Sequence, residues 1–552
     1  MATNSTLLYS SLLSSTITSI ITNTTTNTHT HSNQAVGVAA VFEFAGAALL
    51  GASVTKTIRS GILDMAAYED DQDVLAFGML VALVNASFWL ILATAYGLPV
   101  STTHTIIAAI VGFSLAARGF GSIMWGSCAK IFISWVAAPA ITGIIGYLFF
   151  FLVKTFVLKS DKPFDRSAMS YSLVIFITLT INIFFVLHKG LKKFKIDTGI
   201  KLAIAFGSSF VIAVLFQLLV VGWLKRRIVR LENEAIEAED EKAAETLEKG
   251  IGGNSEDSSS LKKEAKEGQG QEQEQAENQE NGNGNGNSSG DKPEVEMSFV
   301  ATDSTATREN DDDELNNSRR ASASSRFFRK IADATYNRDL EKEALEKDDD
   351  AADIWNKAEK YDEKSEVLYS YLQVFTACAL SFAHGSNDVA NAVAPICAVL
   401  AIYDTGVLTS KAPVPQWVLV MGAFGIVTGL ALFGYKVIIS IGYRLTKLSP
   451  SRGFCIQLST TLVVVTASYA GIPVSTTQST IGGTIGVGAV EGKAGVQWLF
   501  MLKVFFGWVA SFFITCLTSA GIMAFCYYSP SSAAYSDFVI QNVTVAATAS
   551  GQ

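Results

Sequence analysis

One short motif occurs twice in this sequence. Gly97-Leu-Pro-Val-Ser-Thr-Thr at 97–103 returns as Gly471-Ile-Pro-Val-Ser-Thr-Thr at 471–477, an offset of 374 residues, and eight of the sixteen positions in 97–112 are identical in 471–486. In each copy the proline ends one helix and is tolerated at the entry to the next. Ser and Thr then fill the N-cap and first turn, so hydroxyls and backbone N–H groups without intrahelical partners converge on one spot. Such a spot suits an oxyanion, phosphate or sulphate, and its hydroxyl oxygens can instead face a small cation such as sodium. One copy alone would read as the cap of a transmembrane helix. Two copies in register point to a transporter whose site lies between duplicated halves. Ser101, Thr102, Thr103, Ser475, Thr476 and Thr477 are the candidates this motif supplies.

A second motif, His384-Gly-Ser-Asn-Asp-Val-Ala-Asn-Ala, lies inside the apolar stretch 369–400. It sets the carboxylate of Asp388 and the amides of Asn387 and Asn391 at mid-membrane depth, where ionisable groups mark function by default. Asp388 and Asn391 are three residues apart and share a helical face. Their oxygens suit sodium, and the amide N–H groups suit phosphate. A polar clamp between helices is the plainer reading. Gly385 is expected to let the helix break nearby. Glu43, in Val-Phe-Glu-Phe-Ala-Gly, is a further intramembrane acid: either a coupling-ion or proton site, or the partner of a basic group such as Lys56 or Arg59. His104 becomes Gln478 in the second copy, which reads as a hydrogen-bonding group rather than an obligatory proton carrier.

Helices must position these residues in a bilayer. The chain has 552 residues, 49% hydrophobic and 17% charged, against about a quarter charged in soluble domains. Residues 225–368 hold 60 of the 93 charged residues; the other 408 residues hold 33, about 8%. A polytopic membrane protein with one large polar insertion is the reading left. Eleven apolar segments can be marked, at 35–55, 74–96, 101–117, 128–152, 169–188, 200–224, 369–400, 416–443, 453–470, 473–490 and 496–526. The two that follow the repeated proline, 101–117 and 473–490, are short and could be halves of re-entrant hairpins.

The boundaries are a Ser/Thr/Asn-rich tract at 1–34, a first transmembrane half at 35–224, an insertion at 225–368, a second half at 369–526 and a tail at 527–552. Low-complexity Gln-Glu and Asn-Gly runs make the insertion largely disordered. Lys225, Arg226, Arg227 and Arg230 place it in the cytoplasm, and the tail, with a sequon at Asn542, outside. Arg319-Arg320-Ala321-Ser322 fits a kinase acting on the loop at Ser322. The insertion is acidic, which argues against a nucleic-acid partner. The six cysteines lie in or beside apolar segments without metal spacing. No nucleophile–base pair, metal cluster or nucleotide loop suggests an enzyme, and no cofactor is expected.

At these residues the chain resembles the inorganic phosphate transporter family, most of all its eukaryotic sodium–phosphate symporter branch. The resemblance covers about 33–225 and 365–527 and rests on the two Pro-Val-Ser-Thr-Thr motifs and on Asn-Asp-Val-Ala-Asn. It implies an all-α, inverted-repeat transporter of about 11–12 transmembrane or re-entrant helices, with the lipid bilayer as surroundings, a homodimer as a possible assembly and both termini outside. Phosphate would meet Ser101, Thr102, Thr103, Asn387, Asn391, Ser475, Thr476 and Thr477. Sodium, the coupling ion, would meet Asp388, Asn387, Ser101 and Ser475, and Glu43 matches the family's functional acid in the first half. The implied activity is sodium-coupled phosphate symport at the plasma membrane. Its rivals are proton-coupled phosphate or sulphate transport, and a phosphate-responsive receptor or scaffold acting through the loop. Two departures stand out: nothing in 1–34 matches the family's first Asn-Asp helix, and Gln457 stands where the family often has an acid. Eleven segments also put the two termini on opposite sides. The sequence is therefore expected to be an incomplete or misread version of a longer protein.

Overall fold

The computed structural model describes residues 28–190, 196–230, 233, 234, 237, 349–406, 412–437 and 444–529. The N-terminal tract up to residue 27, most of the insertion with Ser322, and the chain beyond Ser529 lie outside the described residues. The described residues up to Arg226, and those from Asp349 onward, belong to one compact unit.

Among the described residues there are thirteen α-helices. The first part of the chain supplies α1 (Thr28–Leu50), α2 (Ala52–Ser60), α3 (Gln72–Ala95), α4 (Thr102–Arg118), α5 (Trp125–Val153), α6 (Pro163–Phe185) and α7 (Thr198–Phe216). After the insertion come α8 (Asp349–Lys357), α9 (Glu363–Thr405), α10 (Gln416–Val437), α11 (Pro450–Ala470), α12 (Thr476–Ala489) and α13 (Trp498–Tyr528). Among the described residues each of the eleven apolar segments forms helix, as a backbone without water to bond to requires. Among the described residues seven helices are long and apolar enough to cross a membrane, and α1 with α2, bent by 61°, is an eighth when the pair is taken as one broken span. Large apolar side chains on α5, α7 and α13, among them Val136, Phe210 and Phe525, face outward. Inside a bilayer that is the lipid-facing surface. The protein is multi-pass.

The two short helices resolve as hairpin arms. At 17 and 14 residues they reach about 26 and 21 Å, short of ~30 Å of hydrocarbon. The chain turns into each at the repeated glycine, with φ +66° at Gly97 and +71° at Gly471, the left-handed region that a side chain disfavours. Arg118 at the end of α4 pairs with Asp71 just before α3. Glu491 just after α12 pairs with Arg452 near the start of α11. Each hairpin therefore returns to the face it left. The faces differ: α5 starts beside the α4 end, with Trp125 stacked on Phe120, and finishes at the α12 end, where Phe150 meets Arg452.

The halves interlock, with α4 on α13 and α12 on α5. Glycines allow it: a Cβ at Gly112 would lie 2.1 Å from the carbonyl oxygen of Cys516, and one at the equivalent Gly486 2.0 Å from that of Gly143. Small residues let helix backbones touch where lipid offers no hydrophobic drive to associate. Helix α9 runs through the middle, packed on α1, α2, α3 and α11. It is continuous from Glu363 to Thr405 and holds Pro395 without interruption. The break expected near Gly385 is absent. That glycine instead admits the α1 backbone, since a Cβ there would sit 2.1 Å from the carbonyl oxygen of Glu43.

This packing makes Gly486→Ala destabilising. Backbone atoms cannot swing aside as a side chain can, so a loss of about 1–3 kcal/mol is expected. Gly507→Ala on α13, where nothing lies within 4 Å, should gain about 0.5–1 kcal/mol from helix propensity. Thermal unfolding of the detergent-solubilised protein checks both signs.

Candidate functional site

Asp388 sits at mid-length of α9, 3% exposed, with one oxygen turned to the second hairpin and the other to its own helix. Oδ2 accepts from the Thr476 hydroxyl at 2.6 Å. Oδ1 accepts from Asn391 at 2.9 Å and more distantly from Asn387 at 3.5 Å. The same Asn391 amide reaches Oγ1 of Thr102 at 2.7 Å and of Thr103 at 3.2 Å. One amide nitrogen has two hydrogens for these three oxygens. The Thr103 hydroxyl donates onward to the Val474 carbonyl at 3.2 Å, which also accepts from Asn387 at 2.7 Å. The first turn of α4, the first turn of α12 and the middle of α9 thus form one hydrogen-bonded cluster.

Local sequence explains the orientation. Ser101 and Ser475 are the N-caps of α4 and α12, and each Oγ accepts from a backbone N–H three residues on, His104 at 3.3 Å and Gln478 at 3.2 Å. In each first turn the cap serves the third N–H, and the two before it have no intrahelical acceptor. These belong to Thr102 and Thr103 in one helix and to Thr476 and Thr477 in the other, all buried. The Thr477 hydroxyl is also buried without a hydrogen-bond partner among the described residues. Four N–H groups and a spare hydroxyl are what an oxyanion would use. Asp388, the Asn387 side-chain oxygen and the threonine and serine oxygens form the hard donor set a sodium ion would use. Among the described residues no group of three His, Cys, Asp or Glu suits a resident metal.

Glu43 is placed differently from one sequence alternative. Neither Lys56 nor Arg59 is its partner: Lys56 is exposed, and Arg59 donates to the Ala412 and Pro413 carbonyls at 2.6 and 3.3 Å. Helix α2 bends away from α1 at Gly51, which carries both bases off. Glu43 meets His384 instead, with Nδ1 2.9 and 2.8 Å from its two oxygens. His384 Nε2 lies 3.1 Å from Asp388 Oδ2, close enough for attraction but off the line of a hydrogen bond. The imidazole bridges two buried carboxylates from opposite halves. Sequence reasoning gave His384 no role, although its place one turn before Asp388 on the same helical face was the available signal.

Gln457 lies on α11, where its Oε1 accepts from Thr376 of α9 at 2.6 Å. His104 and Gln478 point elsewhere. They line a cavity of about 380 Å³ walled by Phe132, Trp135 and Phe512, and His104 stacks on Trp135 at 3.7 Å.

A model of the phosphate transporter family matches residues 15–519. The chain is similar to sodium-dependent phosphate transporter 2 of Felis catus, 28% identical over 90% of this chain and 92% of that one. It is similar to sodium-dependent phosphate transporter 1-A of Danio rerio, 29% identical over 90% and 89%. The phosphate-repressible phosphate permease pho-4 of Neurospora crassa is 29% identical over 89% and 90%. A solved structure described as the sodium-dependent phosphate transporter has the same fold, with a TM-score of 0.62 at 23% identity over 96% of this chain and 97% of that one.

The buried bridge has a measurable consequence. Glu43→Gln removes the carboxylate from a hydrogen-bonded contact whose His384 and Glu43 side chains are 1% and 0% exposed, a loss of about 1–3 kcal/mol. His384→Gln is expected to cost a similar amount. The double variant should cost less than the sum by about 1–3 kcal/mol, because the two residues share one interaction. Chemical or thermal unfolding of the four proteins closes the cycle.

Proposed function

We propose that this chain, which belongs to the phosphate transporter family, carries inorganic phosphate across the plasma membrane in symport with sodium. The observation that supports it best is the meeting of two repeat-related helix N-termini at one buried carboxylate, with first-turn N–H groups that have no intrahelical acceptor and the Thr477 hydroxyl left unspent. Phosphate would take the donors: the first-turn N–H groups of α4 and α12, the hydroxyls of Ser101, Thr102, Thr103, Ser475, Thr476 and Thr477, and the amides of Asn387 and Asn391. Sodium would take the acceptors, Asp388 and the Asn387 oxygen first, then Ser101 and Ser475.

Electrostatics then sets the order of binding. A phosphate oxygen about 4 Å from the Asp388 carboxylate meets repulsion of roughly 4 kcal/mol per charge pair at an effective dielectric of 20. A sodium ion on Asp388 turns that repulsion into attraction, so the cation must bind for the anion to stay. An inward sodium gradient would thereby drive phosphate uphill. The coupling ion is itself cargo.

Proton coupling, of phosphate or sulphate, is the second reading. One observation favours it: His384 joins Glu43 to Asp388 and so connects the site to titratable groups. Labelled-phosphate uptake into transporter-deficient cells, with sodium replaced by choline, separates the two. The sodium reading expects at least a tenfold fall in choline. Uptake that is equal in choline and rises at acid pH supports the proton reading instead, and inhibition by excess sulphate would move the substrate.

Two substitutions test the assigned roles. Asp388→Asn keeps the volume and removes the charge, and is expected to abolish sodium-driven uptake while the protein still reaches the membrane. Thr476→Val removes one hydroxyl at constant shape and should raise the half-saturating phosphate concentration about tenfold, as a lost hydrogen bond to a charged group would.

A further inference from the structure

The far ends of the two hairpin arms carry a pair of clusters that the binding site does not use. On one face, Arg118 closes α4. It pairs with Asp71, donates to the Tyr527 hydroxyl at 3.0 Å, and stands over the rings of Tyr68 and Tyr527 at 5.7 and 5.8 Å. On the other face, Glu491 follows α12. It pairs with Arg452, whose guanidinium stands over Phe150 and Tyr361 at 5.4 and 5.1 Å, and it accepts from the Tyr361 hydroxyl at 3.3 Å.

The two clusters have one plan with the charges exchanged. In each, the rear of a hairpin arm is tied to the chain entering that same hairpin, and an arginine is held between two aromatic rings. In the first the arm carries the cation, and in the second it carries the anion. They lie on opposite faces, because both α5 and α13 run from one to the other. Helix α13 starts just after Glu491 and ends with Tyr527 on Arg118. The second cluster has an added layer: Arg452 donates to the Glu359 carbonyl at 2.9 Å, and the Glu359 carboxylate holds Lys154 at 2.8 Å and Lys159 at 2.6 Å near the end of α5. Glu359 and Tyr361 belong to the link between α8 and α9, at the end of the polar insertion.

Transport requires that the buried cluster around Asp388 open to one face at a time. The first turns of α4 and α12 cover it, so one arm must shift for each opening. An anion at a helix C-terminus is opposed by the helix dipole, whereas a cation there is favoured. Glu491 therefore depends on Arg452 more than Arg118 depends on Asp71. We infer that Arg118–Asp71–Tyr527 and Arg452–Glu491–Tyr361 are the two gates of the transport cycle, one on each face, and that the second is set by the end of the insertion through Glu359. This rests on the transport reading above.

The test replaces each ion pair by a removable covalent tie. Arg452→Cys with Glu491→Cys, and Asp71→Cys with Arg118→Cys, are made in a Cys526→Ser background and reconstituted in liposomes. A bifunctional methanethiosulfonate reagent bridges each pair and dithiothreitol releases it. Gates predict that bridging either pair lowers phosphate uptake at least tenfold and that reduction restores it. A static staple tied covalently would keep working, so uptake that persists in verified cross-linked protein overturns the inference. Wild-type uptake in the same liposomes reports separately on the transport reading. A second readout needs no transport. Thr461→Cys, buried on α11 between Arg452 and the site, is labelled with an impermeant maleimide. Labelling should rise at least fivefold with Glu491→Gln and stay unchanged with Asp71→Asn. Equal labelling in all three backgrounds overturns the assignment of the second gate, including where a cysteine pair is silent before bridging.

Discussion

A carboxylate in the middle of a membrane protein must be answered by donors within reach, because water cannot answer it. Asp388 imposes that demand on the whole structure. Its own helix supplies Asn391 and Asn387, and the second hairpin supplies Thr476. Asn391 then engages Thr102 and Thr103 of the first hairpin, and His384 ties the group to Glu43 on α1. Four elements from both halves are oriented by one side chain. The polar cluster is specific for the same reason that it is costly: a partly satisfied set would be worse than an apolar one.

The cluster can form only because the helices around it come unusually close. Gly112 and Gly486 hold each hairpin arm against a helix of the other half, and Gly385 with Gly46 lets α1 lie directly on α9. In lipid these contacts carry the association that hydrophobic burial provides in water. The crossed arrangement also means that neither half contains a whole site. The arm α4 lies packed on α13, and α12 on α5, each against a helix of the other half. That suits a protein whose substrate must be released by one part of the structure while another still holds it.

The polar ends matter in a different way. Apolar spans are nearly uncharged, so among the described residues ion pairs gather at the membrane faces. On the face where the insertion ends, Glu366 takes the Ser451 N–H at 2.8 Å and the Ser451 hydroxyl at 2.6 Å, capping α11 from the start of α9. Lys225 at the end of the α7 stretch pairs with Asp165 on α6 at 2.5 Å. Burial alone would raise the Glu359 carboxyl, but hydrogen bonds from Lys154 and Lys159 hold it below its ordinary value. The charge pattern of this face is thus locked into the packing of α5, α9 and α11.

Much of this was legible before any coordinates. Helix positions followed from apolar runs, since the bilayer penalises any other backbone, and the described part of each segment forms helix. The repeated Pro-Val-Ser-Thr-Thr marked both N-termini, because proline and hydroxyl caps act within a single turn. Asp388 and Asn391 shared a face because the spacing of three residues is a local property of the helix. Three matters were decided only by the tertiary structure. The short arms became hairpins, a question of which face each end reaches, and hydropathy does not carry that. Gly385 served close approach rather than a break, because what sits opposite a glycine belongs to another helix. Glu43 found His384 and not the bases that follow it in the chain, since the bend at Gly51 turns those away and α9, some 340 residues later, brings the imidazole in. Local rules specify a helix and its caps; which side chains meet across helices depends on packing, and that has no local signature.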